Sequence, residues 1–185
     1  MSRVTSIEEL SNLKSKIETE RKFTKQVLIC GGTGCISSGS NEIADKMTEK
    51  VKAAGKENEI RVIKTGCFGF CEKGPIVKML PDNTFYTEVT PEDADRLVET
   101  HLLKEEKIEE LLYVDPVTKN KISDSDHMDF YKKQERVALR NCGVIDPENI
   151  EDYLLYDGYT ALDKVLKMSQ QEVVDIMKDS GLRGR

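Results

Sequence analysis

The chain has 185 residues, of which 38% are hydrophobic and 34% are charged, and its formal net charge is −6. This length allows one full domain and part of a second, and the low apolar share predicts a modest core with exposed helical or linking segments. No cluster of Lys and Arg forms the footprint of a nucleic-acid-binding protein. No apolar run approaches the roughly 18 residues that cross a bilayer, so we expect no direct membrane insertion.

The N-terminal segment is predicted to form an amphipathic helix over about residues 7–21. A capping-box pattern at Ser6 and Glu9 begins this helix. Apolar residues follow at helical spacing: Ile7, Leu10, Leu13 and Ile17. We interpret residues 1–24 as an N-terminal helical arm, which either packs on its own domain or docks a partner.

Residues 25–111 are predicted to form a compact α/β domain. Its predicted elements are strand 26–30, a helix that Ser40 caps and Gly55 ends, a strand at 60–63, strands 76–80 and 84–89 joined by a turn, and a helix that starts at Thr90. This order of strand, helix, three strands and helix is that of a small layered fold. Cysteines follow the first two strands, in loops where a rigid frame can hold a cofactor.

A domain boundary is predicted near residue 112, after the acidic stretch EEKIEE. Residues 111–126 read as an extended connector with turns. Helices are then predicted within 127–140, from Asp146 to Gly158, over 159–167, and from the capping box at Ser169 to Gly181. The last residues, GLRGR, form a Gly/Arg segment, so we expect the chain to be part of a longer polypeptide.

Four of the five cysteines fall in two close pairs, CGGTGC at 30–35 and CFGFC at 67–71. Two chelating pairs would supply the four thiolates of a [2Fe–2S] cluster, two for each iron. The glycines between them allow close backbone approach, with N–H groups free to donate to sulfur. We therefore predict four metal ligands: Cys30, Cys35, Cys67 and Cys71. Cys142 stands apart and is interpreted as a small packing residue.

Other uses of these cysteines stay open. Structural zinc also takes four thiolates, but it usually uses C-x2-C pairs, and a thioredoxin-type disulfide uses C-x-x-C, so neither spacing matches. A [4Fe–4S] cluster normally draws on a tighter run of cysteines. The N-terminus shows no apolar export signal, so free thiols indicate the cytoplasm rather than a secreted disulfide protein. The alternatives are thus a zinc-stabilised interaction module or a thiol-disulfide redox protein.

The C-x4-C and C-x3-C pairs on this strand order resemble the thioredoxin-like [2Fe–2S] ferredoxin domain. In residues 112–185, the segments YKKQERVALRNCGVIDPENIEDYL, GYTALDKVL and GLRGR resemble the region that leads into the flavin-binding domain of NADH-oxidising subunits. Such subunits occur in respiratory complex I and in NAD(P)-reducing and electron-bifurcating iron-only hydrogenases. The fused order of the two parts favours the beta subunit of a hydrogenase.

This resemblance implies a [2Fe–2S] cluster on the four paired cysteines and a truncated, mainly helical lead-in to a flavin/NADH-binding domain over 112–185. The family's FMN loop begins where this chain has Arg183-Gly184-Arg185. FMN, NAD(H) and [4Fe–4S] centres are therefore implied only for a full-length subunit, and hydride transfer belongs to that subunit rather than to this chain alone. The implied partners are other iron–sulfur and flavin subunits. The family often has two glycines where this chain has Asp157-Gly158.

Overall fold

The computed structural model describes residue 4 and residues 6–184. By packing, the chain divides into two compact units, one comprising residues 21–149 and the other comprising the residues up to 20 together with those from 150 onward. The domain limits expected at residues 25 and 112 stay predictions. Arg185, at which the resemblance places part of a flavin loop, lies outside the described residues.

A four-stranded mixed sheet organises the unit of residues 21–149. Its strands, in the spatial order β2-β1-β3-β4, are β1 (Lys25–Cys30), β2 (Ile60–Thr65), β3 (Val77–Leu80) and β4 (Thr84–Tyr86). The strands β1 and β2 run parallel, and Cys30 is paired with Thr65 at their ends. The strands β3 and β4 are antiparallel to their neighbours. This sheet confirms the predicted α/β class.

Three helices lie between the strands of the sheet or directly after the last one. They are α2 (Thr33–Ser37), α3 (Ser40–Ala53) and α4, which runs through the consecutive 3-10, α and π segments Pro91–Asp93, Ala94–Arg96 and Leu97–Leu103. The predicted loop after Cys30 therefore contains a short helix. Gly39, with a φ of 94°, precedes α3, so Ser40 is the first helical residue rather than the cap. A left-handed residue at this point separates two helices that follow each other directly.

Strand alternation divides the buried residues between the two faces of the sheet. Val27 and Ile29 point to one face, where they pack with residues of α3 and α4. Leu28 and Cys30 point to the other face, where they meet Phe85 and the loop after β2. Because successive strand residues face opposite sides, the last residue of β1 delivers its thiol to the second face.

The second face is covered by residues that follow α4. They include the short strands β5 (Tyr113–Val114) and β6 (Lys121–Ile122) and the helix α5 (Asp129–Lys132). Tyr113 and Met128 are buried there with Phe85. The segment predicted as an extended connector therefore forms a small hairpin that packs on the sheet.

The other unit is helical. It contains α1 (Ile7–Glu20), α6 (Ile150–Leu155), α7 (Thr160–Leu166) and α8 (Gln170–Asp179). Helix α1 packs on α6, and a cavity of about 350 Å³ beside them is lined mostly by apolar side chains. The predicted capping box of Ser169 with Glu172 is present at the start of α8. Within the described residues, no helix combines the length and the apolar character needed to span a bilayer.

Candidate metal centre

The parallel pairing of β1 and β2 brings the two cysteine pairs to one edge of the sheet. Cys30 ends β1 opposite Thr65, and Cys67 follows two residues beyond β2. Cys35 lies in α2, and Cys71 begins a 3-10 turn over Cys71–Lys73. Since parallel strands end at the same edge, each following loop starts at the same place.

The four sulfurs form two pairs that face each other. The Sγ atoms of Cys67 and Cys71 are 3.9 Å apart, and the thiol of Cys30 lies close enough to that of Cys35 to raise its pKa. A Cβ on Gly32 would lie 3.0 Å from the Cys67 sulfur and 3.5 Å from the Cys30 sulfur. Across the described residues, no three Cys, His, Asp or Glu side chains gather around one point as a single metal ion requires. A binuclear cluster takes two sulfurs at each iron, so paired sulfurs suit its donor set.

The two pairs differ in exposure. Cys30 and Cys35 are each 1% exposed, whereas Cys67 is half-buried and Cys71 is exposed. Burial, together with the neighbouring Cys30, raises the pKa of Cys35 to about 12. The hydrogen bond with Cys67 and the charge of that thiol raise the pKa of Cys71. Without metal, the thiols of Cys35 and Cys71 therefore stay protonated at neutral pH, so a metal that binds them must displace their protons.

Backbone N–H groups point at the sulfurs. The amide of Gly69 donates to the Cys67 Sγ at 3.2 Å, and the backbone of Ile76 acts on the Cys35 thiol in the direction that lowers its pKa. Gly69 has a φ of 80°, in the left-handed region that side chains disfavour. Such N–H···S bonds stabilise negative charge on sulfur, which is how a protein tunes a thiolate-bound metal centre.

An aromatic layer lies under the second cysteine loop. Phe68 is buried, and its ring meets that of Phe85 edge-on at 5.6 Å. The ring of Phe70 lies 5.3 Å from that of Tyr113 and 4.8 Å from that of Phe130. Both phenylalanines beside the predicted ligands therefore belong to a packed layer, which limits water access from below the loop.

Three further residues next to this loop were not predicted as part of the site. Tyr131 and Arg136 both donate hydrogen bonds to the Phe68 carbonyl oxygen, the former at 3.1 Å. The Sγ of Cys142, interpreted from sequence as a packing residue, would lie 3.3 Å from a Cβ on Gly66, and Cys142 is half-buried. Nothing in the local sequence marks these contacts, because they join positions more than sixty residues apart.

Comparison with known proteins places the chain in a family. The sequence profile of the thioredoxin-like [2Fe–2S] ferredoxins matches residues 3–102, more than half of the chain. The chain belongs to this family. The predicted fold class and the predicted [2Fe–2S] cofactor are thereby confirmed, and the cysteines at the strand ends provide donors of the required chemistry. The assignment of the four individual ligands stays a prediction.

Individual proteins are similar to parts of this chain. The chain is 36% identical over 77 residues to a 2Fe–2S ferredoxin of Clostridium pasteurianum. This match covers 42% of this chain and 76% of that protein. The chain is 63% identical over 54 residues to the NADP-reducing hydrogenase subunit HndC of Solidesulfovibrio fructosivorans. That match covers 29% of this chain and only 11% of the hydrogenase subunit. The crystal structure of the thioredoxin-like [2Fe–2S] ferredoxin of Aquifex aeolicus is 33% identical, with a TM-score of 0.44 over 48% of this chain and 95% of that one.

Proposed function

We propose that this chain is an electron-transfer module in which Cys30 and Cys35 bind one iron of a [2Fe–2S] cluster and Cys67 and Cys71 bind the other. The observation that carries the proposal is the arrangement of the sulfurs in two facing pairs at one sheet edge. Each short loop chelates a single iron without long-range strain. When bound, the cluster takes up one electron from a reduced flavin or iron–sulfur donor and releases it to an oxidised acceptor.

The exposure of the four cysteines determines the side from which a redox partner can approach the cluster. The Cys30–Cys35 side is buried in the core, whereas Cys71 is exposed. A donor or acceptor centre therefore approaches most closely from the side of Cys67 and Cys71. The buried pair fixes the position of the cluster, and the exposed pair forms the electron-exchange side.

The finer proposal concerns the larger assembly. We infer that the chain is part of a flavin iron–sulfur subunit of an NAD(P)-linked hydrogenase or NADH dehydrogenase complex. The identity of 63% with a subunit of an NADP-reducing hydrogenase supports this. The match covers only 11% of that subunit. Its activity, its FMN and NAD(H), and its iron–sulfur and flavin partner subunits are therefore proposed for a full-length protein rather than for this chain alone. A cytoplasmic location also stays a prediction.

Anaerobic purification, quantification of iron and acid-labile sulfide, and EPR spectroscopy after reduction test the proposal. About two irons and two sulfides per chain, with a signal from a single unpaired spin after reduction, are expected. Zinc without labile sulfide would instead favour an interaction module. A metal-free protein with a reversible two-electron dithiol couple would favour a thiol-disulfide protein.

A further inference from the structure

Part of the chain beyond the family match packs directly on the second cysteine loop. The match ends at residue 102, yet Tyr131 and Arg136 both reach the carbonyl group of Phe68. Phe68 directly follows Cys67. Two donors on one carbonyl oxygen satisfy both of its lone pairs and fix the orientation of this peptide group.

The loop is also held on the other side of Cys67. The Thr65 hydroxyl donates to the Ile145 carbonyl at 2.6 Å in a buried hydrogen bond. A Cβ on Gly143 would lie 2.7 Å from the Phe68 ring, so the backbone at 143 lies directly on that ring. Contacts from one segment thus restrain the chain two residues before Cys67 and one residue after it.

The guanidinium group of Arg136 is itself held in place. It lies over the Tyr131 ring at 5.2 Å from the centroid, and Nη1 donates to the Cys142 carbonyl at 3.5 Å. Its Nη2 would be 3.2 Å from a Cβ on Gly69, the residue whose amide donates to the Cys67 sulfur. Because an arginine stays charged at any physiological pH, this puts a fixed cation beside the loop.

We propose that Tyr131 and Arg136 form a positioning clamp that holds the Cys67 loop and that the charge of Arg136 raises the reduction potential of the cluster. This inference rests on the proposed function. Reduction adds one negative charge to the cluster, and a nearby cation in a partly buried setting stabilises that charge. Burial raises the pKa of Tyr131, although the neighbouring Arg136 opposes this shift, so the Tyr131 hydroxyl stays a hydrogen-bond donor.

The clamp is tested in the full chain with four variants: R136Q, R136K, Y131F and R140Q. Arg140 is the matched control, since it lines the same cavity of about 250 Å³ but is exposed. The Arg140 side chain forms no hydrogen bond or ion pair with any residue that the structure describes. Midpoint potentials come from EPR-monitored redox titration, and loop restraint is read from the rate at which a chelator removes iron.

We expect R136Q to have a lower midpoint potential than the wild-type protein, whereas R140Q stays close to it. R136K keeps the charge but loses the planar fork, so its potential changes less while iron loss becomes several-fold faster. Y131F removes one hydrogen bond and no charge, so it accelerates iron loss without lowering the potential as R136Q does.

Three outcomes would overturn the clamp. One is an unchanged potential in R136Q, and another is an equal shift in R136Q and R140Q, which would reflect net charge alone. The third is a rate of iron loss in both R136K and Y131F that equals that of the wild-type protein. Because this outcome does not depend on R136Q, it tests the clamp even if R136Q does not fold. A wild-type protein without any cluster would overturn the proposed function itself.

Discussion

Gly74 and Cys35 are in direct contact beside the candidate metal centre, because a Cβ on Gly74 would lie 2.6 Å from the Cys35 sulfur. Cys35 is buried, with only 1% of its surface exposed. The sulfur therefore has little room to move away. Residue 74 must lack a side chain for Cys35 to keep its position.

Replacement of Gly74 by alanine is expected to displace the Cys35 sulfur and to reduce cluster content. Gly34→Ala is the matched control, since a Cβ on Gly34 meets no atom within 4 Å. Iron and labile sulfide per chain, with the visible spectrum, measure the effect. A fully loaded Gly74→Ala protein with an unaltered spectrum would contradict this account of the glycine.

Replacement of each predicted ligand should disturb the cluster, whereas replacement of the fifth cysteine should not. Serine at Cys30, Cys35, Cys67 or Cys71 is expected to change or abolish the native visible and EPR spectra, because a hard alkoxide replaces a thiolate. Cys67→Ala should abolish them. Cys142→Ser is the control, since Cys142 lies beside Gly66 but is not paired with another cysteine. If a variant at one of these four cysteines retains the native spectrum, the assignment of that cysteine as a ligand is wrong.

The hydroxyl of Tyr86 connects two buried groups, and its removal should destabilise the fold. It accepts a hydrogen bond from the Ile108 amide at 3.1 Å and lies 2.6 Å from Nδ1 of His101. Tyr86→Phe leaves that amide buried without a partner, at an expected cost of about 1–3 kcal/mol in the free energy of unfolding. Denaturant unfolding measures this cost. In the control Tyr113→Phe, the lost hydroxyl makes no hydrogen bond with the residues described here, so an equal loss there would refute the explanation.

Stability should fall as the solution is acidified through the titration range of His101. Burial lowers the pKa of His101 below its ordinary value of 6.5, although Asp82 opposes this shift and Lys107 and Lys25 reinforce it. Below about pH 6.5 the unfolded chain binds the proton more readily than the folded one, so the free energy of unfolding decreases with falling pH. Urea unfolding at a series of pH values measures the slope.

The control for this pH dependence is the other histidine. The side chain of His127 is exposed, so His127→Gln serves as the comparison, and we expect His101→Gln to flatten the slope more than His127→Gln does. Burial opposes ionisation of Asp82, but its Thr84, His101 and Lys107 neighbours hold its pKa below the ordinary value of 3.8. Asp82 therefore titrates at lower pH and does not produce this slope. A slope that persists in His101→Gln would assign it to other groups.

Local pattern predicted much of the fold correctly. The strand from Lys25 to Cys30 and the helices α1 and α8 follow from apolar periodicity and capping boxes, which depend on neighbouring residues only. The short helix Thr33–Ser37 was missed, because its glycines and serines favour a loop reading. This helix carries Cys35 back toward Cys30, and that placement depends on tertiary packing.

The sequence by itself determined the family, the α/β class and the two cysteine pairs, because chelating spacing and strand periodicity are written in consecutive residues. Only the tertiary structure decided that Tyr131 and Arg136 hold the Phe68 carbonyl and that Gly74 abuts Cys35. Those contacts depend on the path of the whole chain and on the space that packing leaves. No local pattern of residues encodes either one.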